Sequence, residues 1–591
     1  MIKIIKYFKW WYWLITLLIG VLVYLQVTLD LFLPERMAEI IKLVGDSAMS
    51  GTNNTKKIVE HGSIMLLITI GSIALTIIIS FFASRVGANF AKQMRERIYV
   101  KVNEFSMGEI NQFSTPSLIT RSTNDIQQIQ MAVIVILRMA ITAPIMAFKA
   151  IGKIWSISLE LSLIVAIGIF VIVTMISLVF IFVMPKFQKM QRNTDNLNLV
   201  TRENLAGLKV VKAYNAEKYQ KEKFEAVNTE LTNTNLFVNR VMAVMMPGMQ
   251  TIMSGMNLAI VWIGAVLISQ FKLGSSPFEG LALQGEFSGY AMNIVMSFML
   301  LIMIFFLLPR AAVSARRINE VLDTKITIKE PIEKRTVNTN LQGEIEFKDV
   351  YFRYPGAEGY VLENINLKIN KGETVAFLGS TGSGKSTLLN LVARFYDATS
   401  GTILVNGKDI KEYRLEDLYN LLGYVPQKGL LFSGTIASNL RLGKQDASEE
   451  DISQALSIAQ ANNFVNKLDE NINYQIAQGG KNVSGGQKQR LCIARAIIRK
   501  PEIYLFDDSF SALDYKTDQE LRKALQKETT GATNLIVAQR IGTILRANKI
   551  VVIEQGKIVG VGTHQELINN CPVYQEMAYS QLSKEELDYA K

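Results

Sequence analysis

The chain has 591 residues, enough for two or more domains with cores of their own. Its 63 Lys and Arg outnumber 52 Asp and Glu for a net charge of +11, but much of the early basic excess flanks apolar runs. Membrane topology accounts for that share without a nucleic-acid partner. The only cysteines, Cys492 and Cys571, lack metal-ligand spacing, so a reduced cytoplasmic compartment suffices for them.

In chain order, Met1 to Trp13 threads Lys3, Lys6 and Lys9 between Ile4, Ile5, Tyr7, Phe8 and Trp10, which predicts an interfacial helix on the inner leaflet. It lacks a small-residue cleavage site and further apolar runs follow, so it does not read as a signal peptide. Six spans follow at Leu14–Phe32, Ser63–Ala83, Met131–Ile154, Leu161–Met184, Val244–Phe271 and Gly289–Leu308. Each is long enough for a hydrocarbon core of about 30 Å. The segments Arg85–Gln130 and Pro185–Met242 are long, basic and compatible with helix, which places them and the N-terminus in the cytoplasm. Spans two to five should therefore continue past the bilayer as helical stalks. Lys149 and Lys153 in span three read as snorkelling side chains, and Arg138 as packed or solvated. Methionines recur at helical spacing in the last two spans, among them Met249 and Met253, then Met296 and Met299. Methionine suits surfaces that accept varied shapes, so these four are candidate substrate contacts; packing against lipid or neighbouring helices explains them equally well.

Arg310 to Lys334 is a charged transition broken by Pro331, and from Leu341 the chain alternates strands and helices like a soluble α/β domain. The expected organisation is a membrane domain over 1–325, a linker over 326–340, an α/β nucleotide-binding domain over 341–580 and a tail over 581–591.

The chemistry centres on Gly379-Ser380-Thr381-Gly382-Ser383-Gly384-Lys385-Ser386-Thr387, which fits the phosphate-binding loop G-x-x-x-x-G-K-[ST]. A short apolar strand precedes it and a helix follows, so inward-turned N–H groups and the helix dipole would hold an anion. Lys385 would reach the terminal phosphates of ATP, and Ser386 and Asp507 would hold Mg²⁺. Tyr354 offers a plane for adenine, and Gln427, at the end of another apolar strand, could reach Mg²⁺ or a water. Ser484-Gly485-Gly486-Gln487 opens a long helix and makes a second anion-binding terminus. One nucleotide does not need two such termini from one subunit, so the second reads as a clamp for another chain's phosphate.

The order of phosphate loop, Gln427, SGGQ, Asp507-Asp508 and Ser511-Ala512-Leu513-Asp514 behind six spans with inner stalks resembles an ATP-binding cassette (ABC) exporter half-transporter. The resemblance implies a head-to-tail dimer of nucleotide domains, each ATP lying between the phosphate loop of one chain and the SGGQ of the other. It also implies short coupling helices at the stalk ends, here near Ser117–Thr123 and Ala216–Lys221. Two positions depart from the family pattern: Asp508 stands where a catalytic glutamate is usual, and Gln539 where a histidine is usual. The base is one methylene short, and a displacement of about 1 Å costs on the order of 10²-fold in rate. Gln478, before SGGQ, also stands where an acid is common. The chain is therefore expected to be the hydrolysis-impaired half of a heterodimeric multidrug exporter in the cytoplasmic membrane, with a second half-transporter chain, the lipid bilayer and amphipathic small molecules as partners. The alternatives are a lipid or peptide exporter, a homodimeric exporter and an ATP-gated channel or regulator.

Overall fold

A computed structural model describes residues 2–51, 53–331 and 342–582. Most of the expected linker (332–340) and all but the first two residues of the expected tail lie outside the described residues. The chain divides into two compact units: Met1–Lys101 with Pro116–Asp323, and Val102–Thr115 with Thr324–Lys591.

The first unit is helical. A four-residue helix α1 (Ile2–Ile5) precedes α2 (Trp10–Ser50) and α3 (Thr55–Asn103); α4 (Met107–Gln112) belongs to the second unit. Then come α5 (Thr115–Ser122), α6 (Asn124–Val135), a π-helical turn at Ile136–Ala140, α7 (Ile141–Ile157), α8 (Leu159–Ala206), α9 (Leu208–Ala213), α10 (Glu217–Ser269) and α11 (Pro277–Asp323). Among the described residues, six helical stretches are long and apolar enough to cross a membrane. They contain the six expected spans, except that Gln270 and Phe271 lie beyond the end of α10, Phe271 with φ 55°. Large apolar side chains such as Leu17, Ile70, Phe170 and Trp262 stand exposed on them, as a lipid-facing surface requires. The stalks are present: α3, α8 and α10 run well past the apolar stretches.

Three expectations need correction. The interfacial helix is only α1, and Trp10 to Trp13 already begin α2. The chain breaks at Lys6–Lys9 because the Tyr7 carbonyl accepts from Gln93 Nε2 at 3.1 Å while Phe8 packs on Phe90 at 5.1 Å. These contacts with α3 outweigh helix continuity. The short helix that packs with the nucleotide domain is Met107–Gln112, upstream of the expected Ser117–Thr123, which falls mostly in α5 of the membrane unit. In the second stalk pair the short turn-helix is α9, whereas Ala216–Lys221 is the cap and first turn of α10.

Charged side chains are partnered inside this unit. Lys153 pairs with Glu35 at 3.0 Å, and Lys149 stands over the Tyr24 ring at 3.6 Å and bonds Thr28 rather than simply reaching outward. Asp125 on α6 accepts from Ser314 at 2.8 Å and pairs with Arg317 at 3.3 Å on α11. A side chain at Gly168 of α8 would meet Met256 Sδ at 2.8 Å, so α8 and α10 pack closely there.

The second unit holds two main sheets and a two-stranded one, β7 (Gly434–Thr435) with β8 (Gln475–Ile476). Strands β1 (Ile345–Phe352), β2 (Leu362–Ile369), β4 (Ser400–Val405) and β5 (Lys408–Asp409) form an antiparallel sheet in the order β2-β1-β4-β5. The central sheet runs β12-β11-β3-β10-β9-β6, from β3 (Thr374–Leu378), β6 (Leu422–Val425), β9 (Ile503–Asp507), β10 (Thr533–Val537), β11 (Lys549–Glu554) and β12 (Lys557–Gly562). Strands β11, β3, β10, β9 and β6 are mutually parallel, and their apolar runs are buried between flanking layers. A separate apolar cluster that includes Leu440, Leu456, Leu491 and Ile493 supports the helical lobe that carries SGGQ.

Candidate nucleotide site

Parallel strands put their carboxyl ends along one edge, where ligands of α/β sheets bind. Here β3 ends at the phosphate loop, β10 just before Gln539, β9 at Asp507-Asp508 and β6 just before Gln427. Because β10, β9 and β6 are neighbours, residues far apart in sequence meet at one edge.

In the phosphate loop, Gly379 has φ 157° and Gly384 φ 102°. A Cβ at Gly379 would press into the Ile553 carbonyl, and one at Gly384 would come within 2.7 Å of Leu362. Only glycine permits that path. The helix Lys385–Val392 starts at Gly384 without a side-chain cap, which leaves its first N–H groups directed at the loop. Lys385 Nζ donates to the carbonyls of Gly379 at 2.9 Å and Ser380 at 2.6 Å and to Ser383 Oγ at 3.3 Å. Burial lowers the Lys385 pKa, an effect opposed by Asp508 and Asp507. Ser386 Oγ donates to Asp507 Oδ1 at 2.5 Å. Burial pushes the Asp507 carboxyl up; Ser386 opposes the shift and Asp508 adds to it. A hydroxyl and a buried carboxylate this close form a hard oxygen pair that fits Mg²⁺.

Asp508 is buried and has φ 44°, a left-handed backbone at the end of β9, held by its N–H to the Val537 carbonyl at 3.0 Å. One of its oxygens, Oδ2, accepts from two carboxamides: Gln539 Nε2 at 2.9 Å and Gln427 Nε2 at 3.2 Å. The expected Mg²⁺-or-water role for Gln427 is thus accompanied by a bond to Asp508. Sequence reasoning missed this double clamp, although Val425-Pro426-Gln427 and Val537-Ala538-Gln539 repeat one pattern.

Tyr354 OH and Thr387 Oγ1 share a hydrogen bond of 2.9 Å, which fixes the candidate adenine ring to the phosphate-loop helix. Its ring packs edge-on against Phe352 and Tyr396, with centroids at 4.9 and 5.2 Å. Tyr396 OH in turn accepts from Asn111 Nδ2 of α4 at 2.9 Å. Helix α4 is pinned at its start, where Glu109 accepts from Ser106 N at 2.6 Å and from Thr327 Oγ1 at 2.6 Å. Burial raises the Glu109 pKa, but the bonds from Ser106 and Thr327 outweigh it and hold the carboxyl below its ordinary value.

The second terminus is finished differently. Ser484 caps the helix Gly485–Ile497 through a capping box: its Oγ accepts from Gln487 N at 3.3 Å, and Gln487 Oε1 accepts from Ser484 N at 2.9 Å. Ser484 and Gly485 are exposed and Gly486 half-buried, so they face away from this chain's own interior. Asp514 caps the helix Tyr515–Glu528 through Thr517 N at 2.9 Å. Gln478 is exposed in a one-turn 3₁₀ helix.

The methionines divide. Met249 is buried, Met253 and Met299 are half-buried and Met296 is exposed. An open cavity of about 500 Å³ lies along α10, lined by Pro247, Gln250, Thr251, Ser254, Gly255 and Leu258.

Residues 16–279 match the ABC transporter transmembrane region and residues 362–511 the ABC transporter nucleotide domain. An uncharacterized ABC transporter ATP-binding protein of Mycobacterium tuberculosis is 38% identical over 93% of both chains. YfiB of Bacillus subtilis, likewise uncharacterized, is 35% identical over 92% of this chain and 93% of its own. An ATP-dependent lipid A-core flippase of Desulfotalea psychrophila is 30% identical over 82% of this chain and 83% of its own. The structure of a bacterial Atm1-family ABC exporter with ATP bound superposes with a TM-score of 0.79 at 21% identity, covering 95% and 98% of the two chains, which shows a shared fold. The chain belongs to the ABC transporters: it is a multi-pass membrane protein whose one polypeptide joins a membrane domain to a cytoplasmic, ATP-hydrolysing nucleotide domain.

Proposed function

We propose that this chain is one half of a heterodimeric exporter of amphipathic small molecules, with a slow ATP site of its own and an intact signature for its partner's site. The observation that carries this reading is the double clamp on Asp508, set against the complete capping box at Ser484. A general base must reach the water it activates. Asp508 is shorter than glutamate and its Oδ2 is committed to two amides, so it holds water poorly. Gln539 donates a hydrogen bond but cannot carry the charge that histidine would bring to a γ-phosphate. The phosphate loop, by contrast, is complete, so ATP is bound and retained. Mg²⁺ bound with ATP would neutralise phosphate charge, with Ser386, Asp507 and Gln427 as its protein neighbours.

The need for a partner follows from two exposed surfaces. Leu430, Phe432 and Leu442 stand exposed on the nucleotide domain, and Leu208, Val210 and Tyr214 on and beside α9. Exposed large apolar side chains support docking surfaces, to which a second half-transporter would present matching elements. For substrate, the open cavity on α10 offers Gln250, Thr251 and Ser254 beside apolar surface. Exposed Met296, with Met253 and Met299, extends that character better than buried Met249. A second reading, lipid export, is supported by the relative named as a lipid A-core flippase.

The test is to reconstitute the purified chain alone and together with a co-produced second half, and to follow ATP hydrolysis and transport of dyes and fluorescent lipids. Slow turnover alone and fast, dye-stimulated turnover in the pair are expected. Full-rate pumping by the single chain would overturn the heterodimer reading, and stimulation by lipids alone would favour the second substrate class.

A further inference from the structure

The segment that follows β10 is held from behind by the end of the chain's last described helix. Gln539 aims its carboxamide at Asp508, and two residues later a short helix, Ile541–Ile544, begins. That helix has no side-chain cap from its own N-cap residue, Arg540, so its first N–H needs a partner from elsewhere. The partner is Gln581, the final residue of the helix Pro572–Gln581. Gln581 Oε1 accepts from Ile541 N at 2.9 Å, and Gln581 Nε2 donates to the Gln539 carbonyl at 2.9 Å. One side-chain amide thus bridges a C=O and an N–H two residues apart, as a neighbouring strand's peptide group would. The bridge rests on a fixed base. Ile541, Ile544, Leu567, Tyr574 and Ala578 are all buried in one apolar cluster, and Leu582 packs against it. Tyr574 is further held by a hydrogen bond of 2.6 Å to His564 Nδ1.

We propose that Gln581 is a positioning residue for the nucleotide site: it sets the backbone on both sides of residue 540, so that the Gln539 side chain reaches Asp508. The side-chain bonds of Gln581 go to the Ile541 N–H and the Gln539 carbonyl, so it acts on Asp508 through Gln539. The helix Pro572–Gln581 is therefore part of the apparatus that decides how Gln539 meets Asp508. This inference rests on reading Gln539 as a residue of the ATP site, and it does not depend on that site being slow or on the partner's identity.

The experiment measures ATP affinity of the full-length chain in its assembled complex with a fluorescent ATP analogue, alongside the melting temperature. Gln581→Ala should weaken analogue binding at the site by about three- to tenfold, the equilibrium value of one or two neutral hydrogen bonds. In a Gln539→Ala background the same change should add nothing, because the residue it positions is gone. Gln581→Glu keeps the acceptor for Ile541 N but loses the donor to the Gln539 carbonyl, so it should fall between wild type and Gln581→Ala. It also serves if Gln581→Ala folds poorly. A lowered melting temperature with unchanged affinity would make Gln581 merely structural and overturn the proposal. So would effects of Gln581→Ala and Gln539→Ala that multiply independently. Rapid hydrolysis by the single chain would sink the slow-site reading while leaving this coupling measurable.

Discussion

The two helix starts at Gly384 and Ser484 use the same physics and are finished in opposite ways. At Gly384 no side chain caps the helix, Ser383 N is the loop N–H bonded within the loop, to the Ser380 carbonyl, and Lys385 sits among loop carbonyls. At Ser484 the capping box already satisfies the helix, and the exposed residues offer a finished surface to something outside the chain. Asp508 and Gln539, on which the proposed slow site rests, lie on the first side, at the ends of β9 and β10. The signature side has no such position within SGGQ. If the proposed slow site is right, binding and hydrolysis are separable on this scaffold. The phosphate loop depends on strand β3 and its helix, whereas Asp508 and Gln539 hang on the two strands beyond it.

The sharpest way to break this contrast is to repair the hydrolytic side. Asp508→Glu with Gln539→His should raise hydrolysis at this chain's own site by up to about 10²-fold, the scale on which about 1 Å of misplacement costs rate. Asp508→Glu alone should gain little, because Gln539 and Gln427 would still hold the carboxylate through the amides that now converge on Oδ2. Phosphate release from complexes with a silenced partner checks both, and no gain from the double change would place the defect elsewhere. Ser484→Ala attacks the other side. It removes the cap and, on the proposed reading, a donor to the partner's phosphate, and complex turnover should fall on the order of tenfold. Lys385→Ala is expected to abolish tight ATP retention at this chain's site yet reduce transport only about two- to threefold, since on the proposed heterodimer reading the competent site would remain. If Lys385→Ala proved the more damaging of the two, the assignment of slow and fast sites would be reversed.

Acid offers a gentler probe of the same side. Burial raises the Asp507 pKa, so its carboxylate takes up a proton above the ordinary carboxylate value of about 3.9. The protonated form no longer serves a cation, and Mg²⁺-dependent ATP affinity should decline as pH falls through that raised value. Titration of ATP binding downward from neutral pH reads the decline. Asp507→Asn, which has no proton to gain, should bind weakly and flatten the profile.

How much of this was legible beforehand depended on distance along the chain. The spans, the phosphate loop, Asp507 and SGGQ are local signals: an apolar run of fixed length, or a strand, a turn and a helix in sequence. The structure places them where the sequence reading put them, apart from the ends of α1 and α10. The clamp on Asp508 was not legible, because residues 427, 508 and 539 converge only through the order β10-β9-β6. The bridge from Gln581 has the same cause, since a glutamine at a helix end carries no signal until its partner segment is known. Helix α4 was misplaced for a different reason. At six residues it is too short to show a period, and what anchors it is polar: Glu109 to Ser106 and Thr327, and Asn111 to Tyr396.

That anchor supports the smallest expected effect. Helix α4 meets the nucleotide domain on the phosphate-loop side, through Asn111, Tyr396 and then Tyr354, whose hydroxyl is bonded to Thr387. Tyr396→Phe keeps the ring that supports Tyr354 and removes only the hydroxyl that α4 grips. A single neutral hydrogen bond is lost, so ATP affinity at this chain's site should weaken about two- to threefold. Asn111→Ala should do the same, and the double variant should be no worse than either single change, because both remove one bond. Turnover at the partner's site should stay level, since nothing near Ser484 is disturbed. Equal losses at both sites would mean that α4 acts on the domain as a whole, and the two sides would not be separable in the way their construction implies.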